Sequence, residues 1–171
     1  MLMHPIILAE TALNASTAED ASAAFLLAMR PLGATYLQTR AYRRPISLLT
    51  SQTHWAAGGF IARVAPEAWP GSEAFNYVCF DCNPLLGAIS SGRTRYRFSD
   101  FAPKAERRFG AYWDAMSEAD IHEGLCATSY GPGRSIASLH LGFEDRSFTA
   151  DDTLGIQLAG LLLTEKILSF A

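Results

Sequence analysis

Two strand-like segments close to the C-terminus constrain the fold more than any other feature of the sequence. Residues 124–130 (GLCATSY) and 135–144 (SIASLHLGFE) flank the short segment Gly-Pro-Gly-Arg. Two such segments joined by a few turn residues are typical of a β-hairpin, whose strands run antiparallel. Because an antiparallel sheet buries at least one of its faces, the rest of the chain must supply further strands and the helices that cover them.

The remaining segments alternate between helical and extended patterns. Ser16 and Glu19 are spaced as in a capping box, ahead of an amphipathic run that ends at a proline and a glycine. Thr149 is expected to cap the last helix, whose first turn is acidic. Helices are predicted at 16–33, 83–92, 102–124 and 149–168, a short helix or two turns at 66–78, and strands at 34–42, 45–52, 58–64 and 93–101.

The length and the apolar content of the chain suit one domain. Hydrophobic residues make up 49% of the 171 positions, which is enough for a substantial core. We therefore predict a single α/β domain over residues 1–171. It is expected to be an α-β-α sandwich of the GAF/PAS-like type, with an antiparallel sheet of about five strands and helices on both faces.

Charge and cysteine content exclude several classes of protein. The net charge of −3 and the pI near 5.8 provide no electrostatic footprint for nucleic acid. No apolar run reaches the ~20 residues that span a bilayer, and the N-terminus lacks the basic region of a signal peptide. Three cysteines without a secretory signal predict reduced thiols and a cytoplasmic location. The clustered arginines, expected on solvated faces, are Arg40, Arg43, Arg44, Arg93, Arg95, Arg97, Arg107 and Arg108.

Cys79 and Cys82 have the C-x-x-C spacing of metal and redox sites. A structural zinc site needs a second pair of ligands, and Cys126 is the only other sulfur ligand of this kind. A redox centre remains open, because Asn83 and Pro84 have the pattern of an N-cap and first helical position, which lowers the pKa of a preceding cysteine. The segment before the pair is not the apolar strand that such centres follow, so two semi-buried, chemically inert cysteines are the favoured interpretation.

Several motifs follow one another in a characteristic order. They are Ala65–Trp69, Asn83–Pro84, Tyr96–Asp100, Tyr112–Asp114 and Asp120–Leu125. In order and spacing these segments resemble the autoinducer-binding domain of LuxR-type quorum-sensing regulators, roughly from Ala9 to Leu168. That family shows a Tyr-Pro-x-x-Trp segment, an Asp-Pro pair, an aromatic strand motif, a Phe-Trp helix and a glycine-containing turn into the last hairpin.

The resemblance implies a buried site for an acyl-homoserine lactone or a related amphiphile. Trp69 is then the indole donor to the lactone carbonyl, and Asn83 occupies the position of the aspartate that accepts the ligand amide N–H. An uncharged acceptor makes a weaker bond than a carboxylate, and Asp81, two residues earlier, is an alternative source of that carboxylate. A core tryptophan and a simple helix cap are the purely structural alternatives for Trp69 and Asn83.

Two further positions depart from the family pattern. Ala65 stands where the family has a tyrosine donor, and His140 stands where a serine or threonine is common. Ser138 and His140 share one face of their predicted strand, so His140 either replaces the missing donor or is a structural histidine. The resemblance and the apolar pattern together give a pocket wall of Tyr36, Phe60, Tyr77, Leu85, Phe98, Tyr112, Trp113, Ile121 and Cys126.

The function predicted from the resemblance is therefore that of a small-molecule sensor domain without a cofactor or metal. No helix-turn-helix DNA-binding segment is expected within residues 1–171, so direct contact with nucleic acid is not expected, nor is contact with a membrane. The alternative is a ligand-independent module that forms homodimers, or heterodimers that inhibit complete regulators. A third hypothesis, an enzyme that uses Cys126 and His140, lacks a group that would orient the histidine as a base.

Overall fold

The computed structural model describes residues 4–64, 66–144 and 147–170. The nine described helices are α1 (Pro5–Leu8), α2 (Glu10–Leu13), α3 (Ala18–Met29), α4 (Ser51–Ala56), α5 (Glu73–Asn76), α6 (Leu86–Ser90), α7 (Phe98–Phe101), α8 (Gly110–Ser117) and α9 (Ala150–Ser169). The five described strands are β1 (Ala34–Arg43), β2 (Phe60–Val64), β3 (Arg95–Arg97), β4 (Glu123–Tyr130) and β5 (Ser135–Phe143).

These strands form one antiparallel sheet in the order β2-β1-β5-β4-β3. The predicted hairpin is present as β4 and β5, which pair directly from Glu123 opposite Phe143 to Tyr130 opposite Ile136. β5 lies at the centre of the sheet because β1 pairs with its other edge. The predicted fold, an antiparallel sheet of about five strands covered by helices, is confirmed.

One face of the sheet is covered by α9 and the N-terminal helices α1 to α3. Leu139 and Leu141 of β5 lie in this core with Phe25 of α3 and Leu163 of α9. Gly160 lets α9 approach closely, because a Cβ atom there would lie 2.9 Å from a methyl group of Leu139. The N-cap of α9 is Thr149, as predicted, and its side chain accepts from the backbone N–H of Asp152.

The opposite face is covered by the shorter helices α4 to α8 and by the turns between them. Its core is rich in aromatic side chains, including Tyr96, Phe98 and Tyr112. Strand β1 divides its residues between the two faces: Leu37 packs into the first core, whereas Tyr36 packs into this second one. The aromatic core also encloses a cavity.

Three local predictions were wrong. Residues 45–52 are not a strand, since a capping box between Thr50 and Thr53 starts helix α4 there. Thr17, rather than Ser16, caps α3 and accepts from the backbone N–H of Asp20. Asn83 is not an N-cap, because α6 begins at Leu86.

The predicted strand 93–101 and the predicted helix 102–124 are both shorter than expected. Only Arg95–Arg97 pairs in the sheet, because the Asp100 carboxylate accepts from the backbone N–H of Arg97 and starts α7. The regular part of the second segment is α8, Gly110–Ser117. Among the helices of residues 4–64, 66–144 and 147–170, none combines the length and the apolar composition needed to cross a bilayer.

Candidate functional site

A cavity of about 50 Å³ lies between the sheet and the helices of the aromatic core. Strands β1, β3 and β5 supply its floor, and α4, α6, α8 and the segment from Trp69 to Leu85 supply its walls. This volume admits a few water molecules. The lining residues are Tyr36, Gln38, Arg40, His54, Trp55, Trp69, Val78, Cys79, Asn83, Leu85, Leu86, Ile89, Tyr96, Phe98, Tyr112, Met116, Ser138 and His140.

Many of the residues predicted from the sequence to bind a ligand are brought together here. Ser138 and His140 do share one face of β5, with Leu139 and Leu141 in the opposite core. The predicted residues that line the cavity are Tyr36, Trp69, Asn83, Leu85, Phe98, Tyr112, Ser138 and His140. Whether they contact a ligand stays a prediction.

The other predicted site residues lie elsewhere. Phe60 packs against the core on the opposite face of the sheet. Tyr77 and the exposed Asp81 line a surface groove beside α8, so Asp81 does not supply a carboxylate to the cavity. Trp113 is partly buried against the aromatic core, and its indole N–H donates to the carbonyl of Ala102 at 3.0 Å.

Ile121 and Cys126 are fully buried in the aromatic core but do not line the cavity. Cys126 is the partner of His140 across β4 and β5. Burial raises the pKa of Cys126 well above its ordinary value, so the thiol stays protonated at neutral pH and is a poor nucleophile. Ala65, at the family's tyrosine position, lies outside the described residues.

In the cavity wall beside the cysteine pair, one backbone carbonyl oxygen accepts two side-chain hydrogen bonds. The carbonyl of Cys79 accepts from the indole N–H of Trp55 at 3.0 Å and from the side-chain amide of Asn83 at 3.2 Å. It belongs to a single π-helical turn, Tyr77–Asp81. Asn83 therefore donates through its nitrogen, and its side-chain oxygen remains able to accept a bond from a ligand amide.

The cysteine pair itself has no feature of a reactive or metal-binding centre. Burial raises the pKa of Cys79 to about 11, whereas a redox-active thiol has a lowered pKa. Cys79 and Cys82 are free thiols. Within the described part of the chain, no group of three or more histidine, cysteine or acidic side chains is placed to hold a metal ion.

Trp69 lies between two turns and presents a buried donor. Its ring is 5% exposed and packs edge-on against Tyr36 and Phe75, with ring centroids 5.3 and 5.2 Å away. Its indole N–H has no hydrogen-bond partner. An unmet buried donor costs about 1–3 kcal/mol, so an acceptor that comes within hydrogen-bonding distance of the indole N–H would stabilise this position.

Tyr112, on α8, presents a second unmet group. Its hydroxyl is buried without a hydrogen-bond partner, and burial raises the pKa of Tyr112 well above its ordinary value. The hydroxyl is therefore neutral at physiological pH and can donate or accept. Tyr36, by contrast, already donates to the side-chain oxygen of Gln38 at 3.0 Å.

Arg40 is the functional residue that the sequence interpretation missed most clearly. We expected it on a solvated face, but it is 1% exposed. Its guanidinium contacts the Nε2 atom of His54 at 2.8 Å and donates to the carbonyls of His54 and Gly58 at 2.6 and 3.0 Å. It lies between the rings of Tyr42 and Trp55, 4.1 and 4.7 Å from their centroids.

The alternation of side chains along β1 could have predicted that Arg40 faces the cavity. Tyr36, which we did assign to the pocket, is followed at every second position by Gln38 and Arg40, and all three line the cavity. Residues two apart in a strand share a face. His54 and Trp55 were missed for another reason, since the helix that carries them begins within the segment that we predicted as a strand.

Two histidines line the cavity, and both are neutral at physiological pH. Burial, followed by the charge of Arg40, lowers the pKa of His140 to about 4. Burial and Arg40 also lower the pKa of His54 to about 3. His140 is within 3.3 Å of the hydroxyl of Tyr96, so that tyrosine fixes its ring in the cavity floor.

Comparison with known proteins gives structural matches only. No protein-family profile matches the sequence, and no curated protein matches it. The solved structures that match include the N-acylhomoserine lactone-dependent LuxR family transcription factor CepR2 from Burkholderia cenocepacia. It has a TM-score of 0.65 and 17% identity, over 97% of this chain and 94% of CepR2.

Two further proteins have solved structures with this architecture. Escherichia coli SdiA has a TM-score of 0.63 and 16% identity over 97% of this chain, which spans 65% of SdiA. SdiA has also been solved in complex with octanoyl-rac-glycerol, with a TM-score of 0.62. The VqsR LBD domain from Pseudomonas aeruginosa has a TM-score of 0.60 and 11% identity, over 96% of this chain and 94% of that one.

Proposed function

We propose that the chain is a small-molecule sensor domain that binds an amphiphile in the cavity between the sheet and α4–α8. Its fold is the one found in LuxR-family ligand-binding domains, as the resemblance in the sequence implied. Because the identities are 11–17%, the likeness concerns the fold alone, and the function is argued from the site.

The observation that carries this proposal is a concentration of unmet polar atoms around one cavity. Among the described residues, five buried side-chain atoms have no hydrogen-bond partner. Four of them belong to residues that line the cavity, namely Arg40, His54, Trp69 and Tyr112. Buried polar groups are nearly always paired in native proteins, so a cluster of unpaired ones indicates a place where a polar ligand completes the bonding.

The structural relatives indicate the type of ligand. CepR2 is described as dependent on N-acylhomoserine lactone, and SdiA has been solved with octanoyl-rac-glycerol. Both molecules join an acyl chain to a small polar head. For this chain we propose that Trp69 donates to a carbonyl of the head group and that the side-chain oxygen of Asn83 accepts an amide N–H.

Binding of an acyl chain requires the cavity to enlarge. Ligand sites usually measure about 300–1,000 Å³, whereas this cavity measures about 50 Å³. Val78, Leu85 and Met116 line it with apolar side chains, and methionine adapts readily to irregular spaces. We propose that the acyl chain displaces these three side chains and takes their place against the aromatic core.

A thermal-shift panel tests the proposal. N-acyl-homoserine lactones and monoacylglycerols with tails of graded length are added to the chain, and the melting temperature is recorded. A ligand at one hundred times its dissociation constant stabilises the folded state by about 2.7 kcal/mol, equivalent to about 5–11 °C for a domain of this size. Trp69→Phe should reduce the rise, whereas Trp113→Phe, outside the cavity, should not. If no amphiphile raises the melting temperature of the folded chain, the proposal is wrong.

A second candidate function is that of a ligand-independent module that associates with a copy of itself or with a related regulator. The feature that favours it is an exposed apolar stripe on α9, where Leu154, Leu158 and Leu162 recur every four residues and are 38–44% exposed. Residues at this spacing form one face of a helix.

Analytical ultracentrifugation separates this candidate from the sensor. If the chain is an interaction module, we expect a defined oligomer that the substitution Leu158→Glu dissociates. Leu27→Glu, at an exposed position on α3, is the matched control and should leave the oligomer intact. A monomer at all concentrations, together with a ligand-dependent rise in melting temperature, would support the sensor alone.

A further inference from the structure

The buried charge of Arg40 bears on the chemistry of the ligand, and this inference rests on the sensor function proposed above. We infer that the cavity is built for an amphiphile with an anionic head group, a carboxylate, that pairs with Arg40. Three features of the cavity support this inference: the buried charge of Arg40, the donors among the unmet polar atoms, and the neutrality of the other groups.

Arg40 is a buried cation whose hydrogen-bonding partners are neutral. Its guanidinium bonds to the ring and carbonyl of His54 and to the carbonyl of Gly58, and it stacks on two aromatic rings. No aspartate or glutamate is present among the described residues that line the cavity. Since a buried charge is normally paired with an opposite charge, an anion is the partner that this arrangement lacks.

Three of the four unmet atoms in residues that line the cavity are donors, and the fourth, the hydroxyl of Tyr112, can donate or accept. A guanidinium can only donate, so the Nε2 atom of His54 accepts from Arg40 and the proton of this neutral imidazole lies on Nδ1. That Nδ1 atom and the Nε atom of Arg40 are both buried without partners. The indole N–H of Trp69 is a third donor without an acceptor. Three unmet donors around one cavity call for an acceptor-rich group, and an ionised carboxylate accepts through two oxygens and donates nothing.

The remaining groups add no negative charge. Burial and Arg40 lower the pKa values of His54 and His140 to about 3 and 4, so both rings are neutral. Arg63, which donates to the side-chain oxygen of Gln38 at 3.0 Å, adds a second positive charge next to the cavity. Glu123, the buried carboxylate of the aromatic face, is bonded instead to the backbone and hydroxyl of Ser99. The cavity therefore has a positive potential.

Two matched pairs of ligands test the inference by titration calorimetry at pH 7. N-decanoyl-homoserine is compared with N-decanoyl-homoserine lactone, and decanoate with methyl decanoate. One member of each pair carries a carboxylate; the ring-opened lactone also carries a hydroxyl, which the second pair controls for. We expect the carboxylate to bind at least about tenfold more tightly within a pair, as charge-assisted hydrogen bonds are stronger than neutral ones. The pair that shows the larger preference identifies whether the acid is a ring-opened lactone or a free fatty acid.

Variants of two arginines locate the preference. Arg40→Met replaces a buried cation by an apolar chain of similar length, and it should abolish the preference for the carboxylate. Arg43→Met is the matched control, because Arg43 lies on the same strand as Arg40 but is exposed and does not line the cavity. It should keep the preference.

The outcomes separate the inference from the sensor function. Equal or tighter binding of the lactone and the ester shows that the inference is wrong and leaves the sensor function intact. A carboxylate preference that survives Arg40→Met also contradicts it. If Arg40→Met does not fold, the comparison within each pair on the unchanged chain decides the question. If no member of either pair binds, the sensor function is contradicted as well.

Discussion

Replacing Trp69 by phenylalanine is expected to separate the stability of the domain from its capacity to bind. The substitution removes the indole N–H, which is buried without a partner, and two ring carbons. A phenylalanine ring can keep the edge-on contacts with Tyr36 and Phe75. The free domain thus loses some apolar packing and also loses an unfavourable unmet donor.

These two effects are similar in size. Burial of two ring carbons is worth about 1.6 kcal/mol, at about 0.8 kcal/mol for each carbon, and the unmet N–H costs about 1–3 kcal/mol. The free energy of unfolding should therefore change by between about −0.6 and +1.4 kcal/mol, which is at most about 3–6 °C in melting temperature for a domain of this length. Ligand affinity, in contrast, should fall about 2- to 13-fold, because a net hydrogen bond contributes about 0.5–1.5 kcal/mol.

Trp113→Phe is the matched control. Its indole N–H donates to the carbonyl of Ala102, which belongs to a fully buried residue. The substitution loses that hydrogen bond and part of the apolar packing of a half-buried ring, about 2 kcal/mol together, and should lower the melting temperature by about 4–8 °C. Urea denaturation of both variants gives the comparison directly. If Trp69→Phe destabilises the free domain as much as Trp113→Phe, the indole of Trp69 is not an unmet donor, and the expected near-balance of the two effects is wrong.

Two further predictions concern acid stability and the packing of the aromatic core. The pKa of His140 is about 4 in the folded domain and about 6.5 in the unfolded chain, so between these values the unfolded chain binds more protons. The melting temperature should therefore fall as the pH falls from about 7 to 4, and His140→Gln should flatten that fall. If the pH profile of the variant is unchanged, this prediction is wrong. Gly124→Ala should destabilise the domain by about 1–3 kcal/mol, because its Cβ would lie 2.5 Å from the ring of Phe98. Gly110→Ala, which has open space at that position, should be neutral or stabilising in the same urea titration.

The parts of the fold that the sequence predicted well are those whose pattern is local. The β4–β5 hairpin and helix α9 combine regular periodicity with turn and cap residues, and both have the predicted place in the fold. The segment 45–52 misled us because its apolar residues suggested a strand. Ile46 and Leu48 are in fact 85% and 82% exposed, and the hydrogen bonds between Thr50 and Thr53 decide the local structure.

The site was predicted in part, for a related reason. Aromatic residues such as Trp69 and Tyr112 belong to motifs whose order the sequence shows directly. The burial of Arg40 depends on pairing of β1 with β2 and β5 and on the position of α4, and these are tertiary relations that a charge pattern does not contain. A cluster of arginines in the sequence looks the same whether its first member faces water or a cavity.

The two hydrogen bonds to the carbonyl of Cys79 couple the movements of the segments that form the cavity wall. Trp55 of α4 and the side chain of Asn83 both donate to this oxygen, which lies in the π-helical turn. Neither segment can move away from the turn without breaking its bond to a common acceptor. The wall should accordingly open as one cooperative unit, and its amide protons should exchange with a common free energy rather than residue by residue. Entry of a ligand would then require α4, the π-helical turn and the segment around Asn83 to move together rather than as independent loops.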